Sequence, residues 1–347
     1  MKLGGIPQSP IERIGKALGL LPEPLLDTQI ALLLARTIME GTRLGVFEAL
    51  KDAPLPAAEV AARCGCDPAA TRKLLDALAG CEYLRWGDGR YSLAPVARKW
   101  LLAGSAKSLR DKMLWQLREW SFIEGIGDYV RAGRPLDFHR GMGSEAWRDY
   151  QRGMKATAVT WVPEAARRTP VPKGARDLLD VGGSHGLLSA ALCRRHPGLR
   201  AVILDLPAAI EHAAPLLAEE GMGDRVTHRA GDVLTEDLGT EAWDVVVVAN
   251  LVHHFDDATN RALTRRIARA LRPGGVYVIQ ELYRPESPKE AGQIGALLDL
   301  YFALTSEAGT WSFAEMAAWQ REAGLKPLKP VKFRTAPGNG QQSAVKR

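Results

Sequence analysis

The chain has 347 residues, 46% of them hydrophobic, which is enough for two domains or for one large domain with an appendage. Its 46 basic and 40 acidic residues are interspersed, so the formal charge of +6 fits solubility or an anionic ligand as well as it fits nucleic acid. Composition therefore indicates an ordinary soluble globular protein and excludes an assignment of nucleic-acid binding on charge alone.

The sequence carries no recognisable targeting or metal-binding pattern. The first ten residues lack the basic and apolar regions of a secretory signal, and the most apolar segment, Ile30–Met39, is about half as long as a membrane span. The four cysteines show neither CxxC spacing nor the histidine partners of a zinc site. We therefore expect a cytoplasmic protein with reduced thiols, no metal and no membrane anchor. The cysteines are Cys64, Cys66, Cys81 and Cys193.

The N-terminal region is predicted to be helical. Residues 1–24 are rich in proline and glycine around a short amphipathic piece, which is typical of an arm rather than a core element. From Leu25 to Leu50, apolar residues recur at intervals of three and four, the spacing of helices with one buried face. Gly41 and Gly45 indicate a break or a close helix contact there.

A winged helix follows. Residues 56–65 and 67–75 form a helix-turn-helix pattern, with Asp67 and Pro68 as a helix start, and residues 83–93 form a hairpin. The second helix offers only Arg72 and Lys73 as DNA contacts, so a dimerisation module is the preferred interpretation. The alternative is a DNA-binding regulator whose C-terminal domain senses a ligand.

Residues 96–170 are helical in pattern and rich in tryptophan, which favours either a core or interface, or the walls of a pocket for a flat ligand. The residues Pro170 to Gly174 break this pattern. We therefore expect an arm, helices and a winged-helix dimerisation domain in 1–105, a helical linker with pocket residues in 106–172, and a ligand-binding domain in 173–347.

Strand and helix patterns alternate in the third region, as they do in a parallel sheet wrapped by helices. The predicted strands are 176–181, 201–206, 225–229, 243–251 and 275–282. The last two strand patterns, 326–336 and 341–346, flank a Pro-Gly-Asn-Gly turn at 337–340 and predict an antiparallel hairpin at one edge of the sheet.

The first of these strands ends in a glycine-rich turn. The segment 177–186 is a short apolar run with Asp180 at its end, followed by Gly182, Gly183 and Gly186. Such a turn brings backbone N–H groups close to a nucleotide-like ligand. It does not match the dinucleotide fingerprint Gly-x-Gly-x-x-Gly, because the first glycine position is occupied by Val181.

Acidic residues also follow the next two strands. Asp205 ends the second strand, where a carboxylate can accept hydrogen bonds from ribose hydroxyls. Asp232 follows the third strand and suits the amino group of adenine. This pair, together with the missing first glycine, favours S-adenosylmethionine over NAD.

These motifs resemble the class I S-adenosylmethionine-dependent small-molecule O-methyltransferases, which include plant caffeate-type and bacterial antibiotic-tailoring enzymes. The resemblance extends from the winged helix to the closing hairpin. It implies an α/β fold, with a Rossmann-like domain whose mostly parallel seven-stranded sheet ends in an antiparallel hairpin, and an N-terminal helical, winged-helix dimerisation domain. The motifs are Leu179-Asp180-Val181-Gly182-Gly183, Leu204-Asp205-Leu206-Pro207, Ala230-Gly231-Asp232-Val233 and Leu251-Val252-His253-His254-Phe255-Asp256-Asp257.

The resemblance also implies roles for particular residues in cofactor binding. Gly182 and its neighbours would receive the methionyl end, Asp205 the ribose, and Asp232 with Val233 the adenine. Phe255 stands where the family usually has a tryptophan beside the cofactor. The implied cofactor residues are Gly182, Gly183, Gly186, Asp205, Asp232, Val233 and Phe255.

His253 matches the family's general base, and Glu281 matches a glutamate that orients it. His254 stands where the family commonly has aspartate, so which of the two rings faces the substrate is left open. A second flanking glutamate would fall near Thr310, and Ala249 replaces a cofactor-contacting lysine.

The resemblance implies a homodimeric enzyme that moves a methyl group from S-adenosylmethionine to a hydroxyl, of phenolic type, on a small metabolite. Because of the departures at Ala249 and Thr310, methylation at nitrogen or carbon and a non-methylating reaction are the alternatives within the same fold. Large side chains between the domains would form the substrate walls: Trp120, Trp147, Met154, Trp161, Phe302 and Trp311.

Overall fold

The computed structural model describes residues 3–139, 141–306 and 308–347. The chain divides into two compact units, and the boundary along the sequence falls between Arg118 and Glu119. The first unit is mostly helical and the second is built on a large sheet. No helix among the described residues is long and apolar enough to cross a membrane.

The helices of the first unit enclose a small apolar core of their own. Gly45, at φ 81°, interrupts the helical run where a break was predicted, and a Cβ on Gly41 would lie 3.1 Å from Leu78, a close contact between helices. The helices are α1 (Pro10–Ala17), α2 (Glu23–Leu25) with a π-helical turn (Leu26–Ile30), α3 (Ala31–Arg43), α4 (Val46–Ala49), α5 (Ala57–Cys64), α6 (Pro68–Gly80), α7 (Pro95–Trp100) and α8 (Arg110–Glu124), which continues into the second unit.

The predicted winged helix is present. Asp67 caps α6 by accepting a hydrogen bond from the N–H of Ala70, and Pro68 occupies its first turn. The wing is the antiparallel hairpin of β1 (Leu84–Gly87) and β2 (Arg90–Leu93).

The second unit alternates strands and helices after three leading helices. Its helices are α9 (Ile126–Ala132), α10 (Ser144–Ala158), α11 (Val162–Arg168), α12 (Leu187–Arg195), α13 (Pro207–Ala218), α14 (Asp257–Ala270), α15 (Pro288–Thr305, kinked at Gly292) and α16 (Phe313–Glu322). Its strands are β3 (Asp177–Val181), β4 (Arg200–Asp205), β5 (Val226–Ala230), β6 (Trp243–Ala249), β7 (Leu271–Leu282), β8 (Lys326–Pro327), β9 (Val331–Lys332) and β10 (Asn339–Val345).

The strands make one mixed sheet in the order β5-β4-β3-β6-β7-β10-β8, and β9 also pairs with β10. β3 to β7 are mutually parallel, whereas β10 runs antiparallel to β7, β8 and β9. The chain leaves β3 to one side for β4 and later returns to its other side with β6. Ligands of open α/β sheets bind at such a switch point, outside the carboxyl ends of the strands.

The class of fold is as predicted, and one edge differs in detail. The strand predicted over 326–336 is two short strands, β8 and β9, so the described residues of the second unit contribute eight strands rather than seven. Leu328, Lys329 and Pro330 separate the two strands, and Pro330 lacks the N–H that a continuous ladder needs.

Alternating side chains of the strands build a core on each face of the sheet. Leu178 packs with Val245 and Val247 on one face, among residues of α11 and α12. Its neighbour Leu179 packs with Val246 on the other face, among residues of α14 and α16. Near-continuous apolar strands of this kind are expected where helices cover both faces.

Candidate active site

The turn from β3 to α12 is shaped by its glycines. Gly182 and Gly186 have φ values of 66° and 73°, which side-chain-bearing residues rarely adopt. A Cβ on Gly183 would lie 2.4 Å from the Cγ atom of Asp180, too close for any other residue without a shift of that carboxylate. The loop can therefore present its backbone to a ligand at the carboxyl end of β3.

Asp180 lies beneath this loop. Its Oδ2 accepts a hydrogen bond of 2.6 Å from the hydroxyl of Ser189, and burial raises the pKa of Asp180 to about 6. Its Oδ1 is buried and has no hydrogen-bond partner among residues that the structure describes. An acceptor left without a partner fits a site that receives a donor from a ligand.

Asp205 fastens the same loop from β4. Its Oδ2 accepts a hydrogen bond of 2.9 Å from the N–H of Ser184, and its Oδ1 accepts one of 2.8 Å from the N–H of Leu206. Burial raises the pKa of this carboxyl, and these two hydrogen bonds oppose that effect. Sequence reasoning assigned Asp205 to ribose and missed its bond to the loop, although a carboxylate has lone pairs for both.

The remaining cofactor candidates follow β5 and β6. Asp232 is exposed, and its Oδ1 accepts a hydrogen bond of 2.9 Å from the N–H of Leu234. Val233 is buried in the core cluster on the face of the sheet that holds Leu179, and Phe255 packs against that cluster. The structure thus places these candidates at strand ends on the same edge of the sheet as Asp205.

His253 and Glu281 form a buried pair. His253 lies in a short 3-10 turn (Val252–His254) after β6, and Glu281 lies near the end of β7, the parallel neighbour of β6. The Nδ1 atom of His253 is 3.0 Å from Oε1 and 3.1 Å from Oε2 of Glu281, and the residues are 4% and 1% exposed. An ionised carboxylate can only accept, so Nδ1 carries the hydrogen and Nε2 keeps a lone pair.

The turn that holds His253 is tied down on both sides. The side-chain amide of Asn260 donates to the carbonyl oxygens of Val252 and Phe255, each at 2.9 Å. The indole N–H of Trp311 donates to the carbonyl oxygen of Val252 at 3.0 Å. Asn260 was not predicted from the sequence. The pattern that could have indicated it is its position in the first turn of the helix that follows the histidine motif.

Aromatic rings surround the pair. The ring of His253 lies 4.3 Å from that of His254 and 4.4 Å from that of Phe302, measured between centroids. His254 lies 5.0 Å from His139, and His139 lies 5.7 Å from Trp147. We call these five residues, together with Tyr150, the aromatic cluster.

Two histidines of the aromatic cluster are held neutral. Burial, reinforced by His253, lowers the pKa of His254 well below its usual value. Burial likewise lowers the pKa of His139 to about 4. His253 is distinguished from both by its bond to Glu281, which gives it the partner that a protonated imidazole requires.

The six predicted wall residues occupy different places. Trp147 and Phe302 belong to the aromatic cluster, and Trp311 supports the His253 turn. Trp161 is buried in the core beside α11 and α12, where it packs with residues such as Ala158 and Val162. Trp120 on α8 and Met154 on α10 are half-buried.

The two departures from the motif pattern also have structural places. Ala249 packs against the core cluster that contains Leu178. Thr310 donates its N–H to Oδ1 of Asp299 at 3.0 Å, and its hydroxyl donates to the same oxygen. A carboxylate from α15 is therefore bonded to the position where a glutamate was expected.

Four polar or aromatic residues in or beside the aromatic cluster were not predicted from the sequence: Glu119, His139, Tyr150 and Tyr301. They are distant in sequence and share no motif, so nothing in the sequence signalled them. In the described parts of the chain, no group of three or more His, Cys, Asp or Glu side chains is arranged to hold a metal ion.

Known proteins match this chain over nearly its whole length. Residues 121–326 match the family model of the O-methyltransferase domain, and residues 32–103 match that of the O-methyltransferase dimerisation domain. Among curated proteins, 3-hydroxy-5-methyl-1-naphthoate 3-O-methyltransferase of Streptomyces sahachiroi is 28% identical, over 94% of this chain and 95% of that protein. The N,N-dimethyltransferase OxyT of Streptomyces rimosus is 27% identical, over 90% of this chain and 93% of that protein.

Among solved structures, human N-acetylserotonin methyltransferase in complex with SAM has a similar fold. Its TM-score is 0.84 and the match covers 99% of both chains, at 18% identity.

Proposed function

The chain belongs to the O-methyltransferase family, and we propose that it methylates a phenolic hydroxyl of a small aromatic metabolite with His253 as the general base. As a member of that family it is an enzyme that uses S-adenosylmethionine. The observation that carries the proposal is the buried His253–Glu281 pair at the carboxyl ends of β6 and β7.

The residues at the carboxyl ends of the strands fit S-adenosylmethionine. The glycine turn offers backbone N–H groups, and the buried Oδ1 of Asp180 and the partly buried carboxylate of Asp205 suit the ammonium and hydroxyl groups of this molecule. We assign its methionyl end to Gly182, Gly183 and Gly186. We assign its ribose to Asp205 and its adenine to Asp232 and Val233, with Phe255 as an aromatic wall beside the cofactor. When bound, S-adenosylmethionine supplies a methyl group on a positively charged sulfur.

His253 would remove the proton of the acceptor hydroxyl. Its Nε2 keeps a lone pair because Nδ1–H is directed at Glu281, and this carboxylate stabilises the imidazolium that forms. General-base catalysis of this kind contributes about 10²–10⁴-fold to the rate. The packed rings around His253 would exclude water from the acceptor hydroxyl and hold it in line for transfer.

Two observations support a phenolic acceptor. The aromatic cluster offers flat faces to a planar ligand, which aromatic side chains bind by stacked or edge-to-face contacts. The name of the relative from Streptomyces sahachiroi describes methylation of a hydroxyl on a naphthalene ring. N-methylation is the second candidate, because OxyT is named as an N,N-dimethyltransferase.

The assembly and location are further parts of the proposal. The match to the dimerisation domain supports a homodimer formed by the first unit. We also propose that the chain has three regions: a dimerisation domain in 1–105, a helical linker with pocket residues in 106–172, and a cofactor-binding domain in 173–347. The four free thiols support a cytoplasmic location. We expect native mass spectrometry to find the dimer. We also expect no steep salt dependence when duplex DNA is titrated at two salt concentrations, because we propose that the wing does not bind nucleic acid.

Mass spectrometry of products tests the reaction. S-adenosylmethionine is offered with a panel of phenols, hydroxyquinones and the matching aromatic amines, and fragmentation locates the added methyl group. Transfer to oxygen supports the proposal. Transfer confined to nitrogen or carbon would replace it with the second candidate.

A further inference from the structure

Ser184, in the turn between β3 and α12, has a backbone conformation that favours glycine. Its φ is 52°, in the left-handed region that residues with a side chain rarely adopt. Hydrogen bonds hold it there. Its N–H donates to Oδ2 of Asp205 at 2.9 Å, its carbonyl oxygen accepts from Nε2 of His228 at 2.8 Å, and its hydroxyl donates to Oε1 of Gln151. A glycine would adopt this φ at a lower cost, so the bond to Gln151 is what the serine side chain adds.

Gln151 brings a side-chain amide to the turn from α10. It follows Tyr150 of the aromatic cluster and is 1% exposed. Because its Oε1 accepts from Ser184, its amide nitrogen is directed elsewhere. In the described parts of the chain this nitrogen has no hydrogen-bond partner, and the protein does not enclose it completely. A nearly buried donor of this kind is expected to bind a ligand or water.

The turn itself has few N–H groups left for a ligand. Those of Gly182, Ser184 and Gly186 already donate to oxygens of the protein at 2.8, 2.9 and 3.0 Å. Within the turn, as far as the structure describes it, this leaves the N–H groups of Gly183 and His185. A carboxylate has about four lone-pair sites for hydrogen bonds. A ligand carboxylate at this turn would therefore need a further donor from outside it.

S-adenosylmethionine carries such a carboxylate. Its methionyl end has an ammonium group, which donates, and a carboxylate, which only accepts. The unpartnered Oδ1 of Asp180 suits the ammonium group. Asp180 and Asp205 offer acceptors rather than donors when ionised, so neither suits the carboxylate. The amide nitrogen of Gln151 supplies a donor beside the turn without adding a charge.

We propose that Gln151, positioned by the hydroxyl of Ser184, donates a hydrogen bond from its side-chain amide to the carboxylate at the methionyl end of S-adenosylmethionine. Gln151 then helps the site to distinguish this cofactor from adenosyl compounds that lack the carboxylate. The inference rests on the proposed function, because it assumes that the methionyl end lies at the glycine turn.

The test compares two cofactors that differ only in the carboxylate. Isothermal calorimetry gives the Kd for S-adenosylmethionine and for its decarboxylated form, with no acceptor present. The proteins are the wild type, Gln151→Leu, Gln151→Glu and Ser184→Ala. Two controls remove the same groups elsewhere in the second unit: Gln320→Leu, at a glutamine buried in α16, and Ser144→Ala, at a hydroxyl at the start of α10.

The wild type is expected to bind S-adenosylmethionine about 100-fold or more tightly than the decarboxylated form. Gln151→Leu should lower this preference by about 10-fold or more, because a hydrogen bond to a charged group is lost. Gln151→Glu should lower it further, because the cofactor carboxylate would face a like charge. Ser184→Ala should lower it by about 3–10-fold, and neither control should change it by more than about twofold.

The Kd for the decarboxylated form separates recognition from a structural role. It should stay within about threefold in Gln151→Leu, which also shows that this variant is folded. If both Kd values rise equally in the Gln151 variants, or if the preference is unchanged in them, the inference is overturned and Gln151 is a structural tie of the turn. If a thermal melt shows that Gln151→Leu does not fold, Gln151→Glu and Ser184→Ala decide by the same criterion.

Failure of this inference is distinguishable from failure of the proposed function. Equal binding of the two cofactors by the wild type would overturn the inference, and the proposed function would survive if product mass spectrometry still finds methyl transfer to phenols. Conversely, a preference that depends on Gln151 in a protein that methylates no hydroxyl would support the inference and overturn the proposed function.

Discussion

The two ends of the site are built in different ways. The cofactor end depends on backbone conformation within one short stretch, the glycine turn, which lies close against Asp180 and is fastened by Asp205 through the N–H of Ser184. The acceptor end is a set of side chains from segments far apart in sequence, centred on His253. The glycine turn is formed by a contiguous sequence motif, whereas the rings of the acceptor end are brought together only by the tertiary fold. The two ends should therefore respond differently to substitution, and variants can show whether they are separable.

The largest expected effect is at the acceptor end. We expect His253→Ala to lower kcat by about 10²–10⁴-fold, because the acceptor loses its base, and to leave the Kd for S-adenosylmethionine within about twofold. Glu281→Gln should lower kcat by about 10²-fold or more, since an amide no longer stabilises the imidazolium. His212→Ala, at a histidine bonded to Ser144, is the matched control. A large change in cofactor affinity in His253→Ala would show that the two ends are not separable.

The next effect is at the cofactor end. Gly183→Ala would bring a methyl group against the carboxylate of Asp180, so the turn must shift. We expect its Kd for S-adenosylmethionine, measured by calorimetry, to rise about 10-fold or more. At saturating cofactor, kcat should stay within a factor of about three. Gly198→Ala, where no other atom lies within 4 Å of the added Cβ, is the control. Equal losses in the two glycine variants would contradict the assignment of Gly183 to this end.

The same difference explains what could be predicted from the sequence. The winged helix, the parallel strands and the turn at Gly182 all follow from local patterns, and their positions agree with the structure to within a few residues. The split of the edge strand at Pro330 was missed, although this proline lacks the N–H that a continuous ladder needs.

At the acceptor end, residue size was a poor guide to position. Trp147 and Trp161 have the same side chain, yet one lies in the aromatic cluster and the other packs in the core. Glu119 in α8 and Tyr301 in α15 are joined by a hydrogen bond, and no periodicity of the sequence records that contact.

A smaller effect is expected from the support of the His253 turn. Trp311→Phe removes the N–H that donates to the carbonyl oxygen of Val252, and we expect kcat to fall about 3–10-fold with an unchanged Kd for S-adenosylmethionine. Trp319→Phe is the control, because Trp319 packs against Trp311 at 5.0 Å but donates to Asp257 instead. If both variants lose stability but only Trp311→Phe has a lower kcat, the hydrogen bond from Trp311 to Val252 helps to position His253. The same kcat in both variants would show that this hydrogen bond has no such role.

The smallest effect concerns the dependence of stability on pH. Burial lowers the pKa of His139 to about 4, below its value of about 6.5 in an unfolded chain. The unfolded state therefore binds more protons between these values, so this contribution to stability is complete above pH 6.5 and is lost as the pH falls towards 4. At the cofactor end, His185, whose pKa burial lowers to about 3, acts in the same direction.

Asp180 acts in the opposite direction. Its pKa is raised to about 6, so its contribution is complete below the unfolded value and is lost as the pH rises through 6. We expect the free energy of unfolding, measured by urea titration, to fall from pH 7 to pH 5 by less than the roughly 1.4 kcal/mol per pH unit for each proton that the histidines alone would give. His139→Gln should flatten this dependence and Asp180→Asn should steepen it. An unchanged slope in both variants would contradict these assignments.

The claim that His253 removes the acceptor proton is tested most directly by phenols of graded acidity. Turnover is measured at pH 7.5 for the wild type and for His253→Ala with naphthols whose substituents lower the phenol pKa from above 9 to below 6. If His253 is the base, the loss in His253→Ala is largest for the least acidic phenol and shrinks to within about tenfold for acceptors already ionised in solution. A loss of the same size across the series would contradict a general base and leave His253 a residue that only positions the acceptor.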